Sequence, residues 1–183
     1  MTLNMTGRPG RLVGTAVLAS AAWLVFGLFA SPAQAAAEPA LYASISEPAP
    51  VAPGGRGEVE YKVTNVSNRA TEGTLLNISL PPHVSLESDA RCRRVGFNDN
   101  GGELISCSLS DELGKFAPGE TKVARNTPFF IDASAPKSTE LGHLTELGHL
   151  EALVVPLENG YPTESPNDLD GYNYVSTPII TSG

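Results

Sequence analysis

The sequence predicts an all-β chain built as an antiparallel sandwich, and three observations predict it. Glycine and proline together make 33 of the 183 residues, or 18%. Their average share is roughly 12%, so turns are over-supplied and long helices discouraged. Apolar residues recur with period two in one short segment after another, the spacing that lines one face of a strand. No window of eleven or more residues carries an apolar stripe of helical period.

The elements follow in order. Leu41, Ala43 and Ile45 alternate with Tyr42, Ser44 and Ser46. Val59, Tyr61 and Val63 alternate with Glu58, Glu60, Lys62 and Thr64. Leu76, Ile78 and Leu80 alternate with Asn77 and Ser79, and Pro81-Pro82 ends that strand. Further strands are expected at 83–87, 104–109, 120–124, 129–132, 150–156 and 172–179. Two Ala-Pro-Gly tripeptides, at Ala52-Pro53-Gly54 and Ala117-Pro118-Gly119, precede strands. Proline sets the first central angle of a type II turn and glycine takes the positive φ of the second. Asn98 to Gly102 and Asn159-Gly160 are further turn signals. Many short one-faced strands with regular turns describe a sandwich, and the length suits one domain at 41–183.

The first 35 residues read as a secretory signal peptide, expected to be helical. Arg8 and Arg11 form a basic start, 12–30 is apolar, Ser31-Pro32 breaks the run, and Ala33-Gln34-Ala35 is a small-x-small cleavage site. Residues 36–40 would then be a linker. The rival is an uncleaved anchor, since about 20 apolar residues span a bilayer; the Pro32 break and the Ala33/Ala35 site favour cleavage. After cleavage the sequence suggests no stable membrane anchor.

The chain has 12 Lys and Arg against 20 Asp and Glu, net −8. Losing Arg8 and Arg11 takes it to −10. That balance excludes nucleic acid as a partner, because phosphate binding needs clustered Lys and Arg. Cys92 and Cys107 are an even pair in an exported chain, so a disulfide is expected. A redox or nucleophilic cysteine is the rival, and it lacks a Cys-x-x-Cys spacing.

Taken in order, several pieces resemble a known family. They are Val51-Ala52-Pro53-Gly54-Gly55, then Glu58 to Asn65, then Leu80-Pro81-Pro82-His83-Val84. Cys92, Cys107-Ser108-Leu109, Phe116-Ala117-Pro118-Gly119-Glu120 and Asn167-Asp168 complete the series. Together these resemble the domain-of-unknown-function repeat, number eleven of its series, that is common in bacterial surface proteins. The resemblance spans about 41–181. It implies an immunoglobulin-like Greek-key sandwich and a non-catalytic role outside the cell or at its surface. Members often occur in tandem on wall-anchored proteins, whereas this sequence has one copy and no sorting signal.

Candidate sites are few. Thr139 to Leu144 and Thr145 to Leu150 repeat one hexapeptide, and His143 and His149, with Glu140 and Glu146, could ligate a transition metal. The competing reading is a slipped duplication that lengthens a surface loop, since both copies contain glycine. Asn98-Asp99-Asn100-Gly101-Gly102-Glu103 and Asp168-Leu169-Asp170-Gly171 suggest calcium loops, but neither aligns with the EF-hand pattern. Asp111-Glu112 reads as solvated charge. Asn65-Val66-Ser67 and Asn77-Ile78-Ser79 match glycosylation acceptors. Phe97, Phe116, Phe129, Phe130, Tyr161, Tyr172 and Tyr174 are core or contact aromatics. If Phe129 and Phe130 share a strand, they must face opposite sides.

The expected function is therefore a secreted, non-catalytic module, extracellular or wall-associated, acting on an extracellular protein or envelope component and needing no cofactor. The alternative is a calcium- or zinc-binding protein using His143, His149, Asp168 or Asp170. A small hydrolase is the third reading. It has no Gly-x-Ser-x-Gly, His-Glu-x-x-His or phosphate loop, and it would require a histidine within reach of both a serine and an acid.

Overall fold

The structure, a computed structural model, describes residues 40–137, 143–163 and 173–183. The expected signal helix, Ala33, Ala35, and the loop residues Asp168 and Asp170 lie outside them. The described residues form ten strands: β1 (Leu41–Ile45), β2 (Arg56–Asn65), β3 (Gly73–Ser79), β4 (Val84–Leu86), β5 (Cys92–Phe97), β6 (Glu103–Leu109), β7 (Thr121–Ile131), β8 (Leu144–Glu158), β9 (Tyr161–Pro162) and β10 (Tyr174–Ser182). They make two antiparallel sheets, ordered β1-β2-β7-β4 and β10-β8-β3-β6-β5, with β9 against the end of β8.

The two ladders reproduce the immunoglobulin strand orders A-B-E-D and G-F-C, with β6 and β5 continuing the second sheet. The chain changes sheet between β2 and β3, β3 and β4, β4 and β5, β6 and β7, and β7 and β8. Beyond β1, Val51 joins the other sheet by a parallel bridge to Thr181. Its N–H donates to Ile180 O at 3.0 Å, and its carbonyl accepts from Ser182 N at 3.2 Å.

Period-two patterning explains the core. Val59, Tyr61 and Val63 of β2, Leu76 and Ile78 of β3, Cys107 of β6, Phe129 and Ile131 of β7, and Leu150, Ala152 and Val154 of β8 form one buried cluster. Phe129 is 0% exposed and Phe130 38%, as opposite faces of one strand require. Both Ala-Pro-Gly segments are type II turns. Ala52 O accepts Gly55 N at 2.8 Å, and Ala117 O accepts Glu120 N at 3.0 Å. Their glycines have φ of 80° and 74°.

Three expectations need correction. The segments 120–124 and 129–132 are one strand, β7, that runs through Pro128. Pro128 opposes Glu58 of β2 in a pair without mutual hydrogen bonds, because the neighbouring Gly57–Phe129 pair continues the bonded series set by Ile131 N to Gly55 O, 3.0 Å. Its missing N–H faces Glu87, just past the end of β4, whose N–H donates to Pro128 O at 3.1 Å, so only the reciprocal bond at this strand end is forgone. The second correction is β5, whose Cys-Arg-Arg-Val-Gly-Phe sequence has no apolar alternation. It is a strand because β6 pairs with it from Cys92↔Cys107 to Phe97↔Glu103. Third, the second hexapeptide copy is not loop but the first half of β8. Gly148 makes this possible: at φ 123° it takes part in a bulge opposite Ile179, so Leu147 is accommodated as an extra residue.

Cys92 and Cys107 are disulfide-bonded and lie directly across from each other, Cα–Cα 4.0 Å. The bond ties edge strand β5 to the core through Cys107, which is fully buried. The side opening of the sandwich is closed by charge. Arg125 of β7 points inward and is 6% exposed. It donates to Asp89 Oδ2 at 2.8 Å and to Thr127 Oγ1 at 3.1 Å. Asp89, in the β4–β5 loop, also accepts from Arg91, which reaches on to Asp111.

Candidate functional site

The outer face of the six-stranded sheet is where this sandwich departs from a plain apolar-in, polar-out pattern. Residues 152–157 of β8 are all buried, although successive side chains point to opposite faces. Ala152 and Val154 enter the core, whereas Leu153 and Val155 belong to the outer face together with Leu75 of β3. Leu104 of β6 and the half-exposed Val95 of β5 extend this apolar strip. Asn77, Ser79, Leu104, Val95, Leu153, Glu151 and Tyr174 line a depression of about 250 Å³.

A larger and more polar hollow of about 690 Å³ adjoins it, sharing Ser79 and Glu151. Its walls are the β3 end at Pro81-Pro82, the β5–β6 turn, and β8 from Leu147 to His149. The turn is held by Asn98. Its Oδ1 accepts from Asn100 N (3.1 Å) and Gly102 N (2.8 Å), and its Nδ2 donates to Leu80 O (2.8 Å) and Ser79 Oγ (3.0 Å). That oxygen is committed to backbone donors, so the Asn98 to Glu103 loop is built as a turn. Glu103, its proposed acidic ligand, pairs with Arg94 at 3.0 Å.

Between the hollow and the β10 edge lies the chemically richest cluster. His149 Nδ1 is 2.8 Å from Ser176 Oγ, and His149 Nε2 is 3.2 Å from Glu146 Oε1. Glu146 and His149 are three apart, which in a regular strand would place them on opposite faces. The bulge at Leu147 and Gly148 restores a common face: Glu146 opposes Ile180 and His149 opposes Pro178. Beside them Tyr174 bonds Glu151. Burial pushes its phenol up to about 12, Glu151's hydrogen bond and charge add to this, and a hydrogen bond with Ser176 opposes it.

The sequence-level candidates can now be placed. Cys92 and Cys107 form the disulfide. His143 immediately precedes β8 and His149 lies within it, so the duplication does not set two equivalent histidines along one strand. Both ring nitrogens of His149 already face Ser176 and Glu146. Among the described residues, no three or more His, Cys, Asp or Glu side chains gather as a metal group. Asn65 is fully buried and hydrogen-bonded to Arg69 O, Phe116 O and Ser67, so it is a packing anchor and no glycan acceptor. Asp111 serves Arg91. Ser176 was not singled out by any sequence motif. Its only cue was a position on a strand expected to pair somewhere in the sheet.

No protein-family model matches the chain, and no curated protein does. Solved structures do. One is AvmM, which catalyses macrocyclization in alchivemycin A biosynthesis. It is 16% identical, with 78% of this chain and 89% of its own covered, at a TM-score of 0.45. A CARDB domain from Pyrococcus furiosus, in complex with di-metal ions, is 14% identical over 79% and 89%, TM-score 0.43. An uncharacterized Nocardia farcinica protein with an immunoglobulin-like fold is 16% identical over 78% and 98%, TM-score 0.37. At these scores the likenesses carry no functional argument. The strand order itself makes this chain an immunoglobulin-like antiparallel sandwich.

Proposed function

We propose that the chain is an exported, immunoglobulin-like binding module that engages an extracellular protein or envelope component through the outer face of its six-stranded sheet. The signal-peptide reading of 1–35 and the ordered resemblance to the bacterial surface repeat support export and a surface role. The disulfide agrees with an oxidising compartment. The observation that carries the reading is the apolar strip of Leu75, Leu104, Leu153 and Val95 on a face that an antiparallel sandwich ordinarily leaves polar.

A short apolar side chain of a partner fits the 250 Å³ depression, with Asn77, Ser79 and Glu151 available at its rim for hydrogen bonds. The test is capture from culture supernatant and wall fractions by the mature domain, compared with Val95→Arg. Val95 is 56% exposed, so the variant should melt with the parent protein while the captured species disappears. Equal capture by both proteins, or none by either, refutes this use of the face.

A further inference from the structure

The Ser176–His149–Glu146 cluster goes beyond binding. We propose that it is an acyl-transfer site, with Ser176 as nucleophile, His149 as general base and Glu146 as the residue that positions the imidazole. Substrates would be esters whose apolar acyl chain enters the adjoining depression. Three independent features of the fold converge on it.

The first is the placement of the His149 ring between Ser176 and Glu146. His149 Nε2 lies 3.2 Å from Glu146 Oε1, and with the ring proton on that nitrogen the contact is attractive and Nδ1 is an acceptor. In that tautomer Ser176 can donate its hydroxyl proton to Nδ1 across 2.8 Å. This is the connectivity a serine nucleophile needs, a base within reach and the base held by a third group. The ring is used with its two nitrogens exchanged relative to the familiar serine–histidine–aspartate arrangement, and the roles are set by geometry.

The second is the bulge. Without the extra residue at Leu147, Glu146 would turn to the inner face and could not meet His149. The duplicated hexapeptide thus contributes a Glu-x-x-His segment whose two functional groups are brought together by its own glycine.

The third is the outer edge of β10 at Ser176, short of the Val51 bridge at Thr181. Val154 N donates to Asn173 O at 2.8 Å, which makes that pair hydrogen-bonded. Alternation then makes Ser176–Glu151 and Pro178–His149 non-bonded pairs, as a proline without N–H requires. The Ser176 N–H therefore points out of the sheet edge, where no described strand pairs with it. It is a backbone donor on the nucleophile itself, placed for the oxyanion.

The chemistry balances. Ser176 Oγ bonds to the ester carbonyl carbon as His149 Nδ1 takes the hydroxyl proton. The C–O bond to the alcohol breaks, and the leaving alkoxide receives that proton from His149. Water repeats the sequence on the acyl-serine, with His149 as base, releasing the acid. Glu146 faces the imidazolium formed in each half.

The test uses the full chain with p-nitrophenyl butyrate and, separately, a fluorophosphonate probe. The expected result is a phosphonyl mass on Ser176 with loss of fluoride, and ester turnover that falls at least about 100-fold in Ser176→Ala and His149→Asn. Ser176 is exposed, so these variants should keep the parent's circular dichroism and melting temperature. Glu146→Gln should lower kcat with KM unchanged, and added imidazole should restore turnover to His149→Ala; a merely structural histidine would show neither. An unlabelled Ser176 in the folded protein, or Ser176→Ala turning over at the parent rate, overturns the proposal. Either outcome leaves the partner-binding reading standing, because that is tested by capture and by Val95→Arg.

Discussion

Replacing Asp89 by Asn probes the charge network that closes the side of the sandwich. Asp89 holds Arg125 at 2.8 Å and Arg91 at 3.0 Å, and Arg125 is 6% exposed. The variant leaves a guanidinium in the interior with a neutral partner. Breaking a buried pair from one side costs about 3–5 kcal/mol. Asp89's own side chain is 20% exposed, and asparagine can still accept one hydrogen bond, so the low end applies, about 3 kcal/mol. For a domain of this size that is roughly 8–12 °C in Tm. Urea unfolding followed by fluorescence should show a lower midpoint at constant slope.

The acid limb provides a second reading of the same interaction. Hydrogen bonds from Arg91, then from Arg125, hold the Asp89 carboxyl well below the usual carboxylate range. Below roughly pH 4 the unfolded chain takes up this proton while the folded chain does not, so stability is lost as pH falls from there. The gap between parent and Asp89→Asn should therefore narrow steadily below that pH. Adding Arg125→Met to the variant removes the stranded charge and should recover part of the loss. A cost below about 1 kcal/mol, or a double variant no more stable than Asp89→Asn, would refute the account.

Three further predictions follow from buried polar groups and the disulfide. The Tyr61 hydroxyl is buried with no hydrogen-bond partner among the described residues, so Tyr61→Phe should unfold at the same or higher urea concentration; a loss above about 1 kcal/mol would mean that the hydroxyl is satisfied. Asn65→Ala should cost about 1–3 kcal/mol, since it strands the Ser67 N–H at the end of β2, while Phe116 O keeps its bond from Thr71 N; a melting temperature equal to the parent's would contradict this. Reducing the Cys92–Cys107 bond, which closes a sequence separation of 15, should lower stability by about 3 kcal/mol, measured by denaturation with and without reductant.

Much of the fold was legible wherever burial has period two. Leu41, Ala43, Val59, Tyr61, Val63, Leu76 and Ile78 all lie in the core as alternation places them. Both Ala-Pro-Gly turns were legible too, because proline and glycine act through local backbone angles. What alternation could not reveal depends on neighbours. β5 is a strand through β6 and the disulfide, β7 passes through Pro128 because its missing N–H faces away from β2, and β8 extends into the duplicated hexapeptide because Gly148 accepts a bulge.

The candidate site divides in the same way. Glu146 and His149 were visible as neighbours with metal-ligand chemistry, but their partner Ser176 is 27 residues from the histidine. Only the β8–β10 register brings it to 2.8 Å. By itself the sequence determined the class of fold, the turns, the charge and the cysteine pair, because these follow from composition and local periodicity. The tertiary structure alone decided which side chains share a face, since one bulged residue reverses every side-chain direction beyond it.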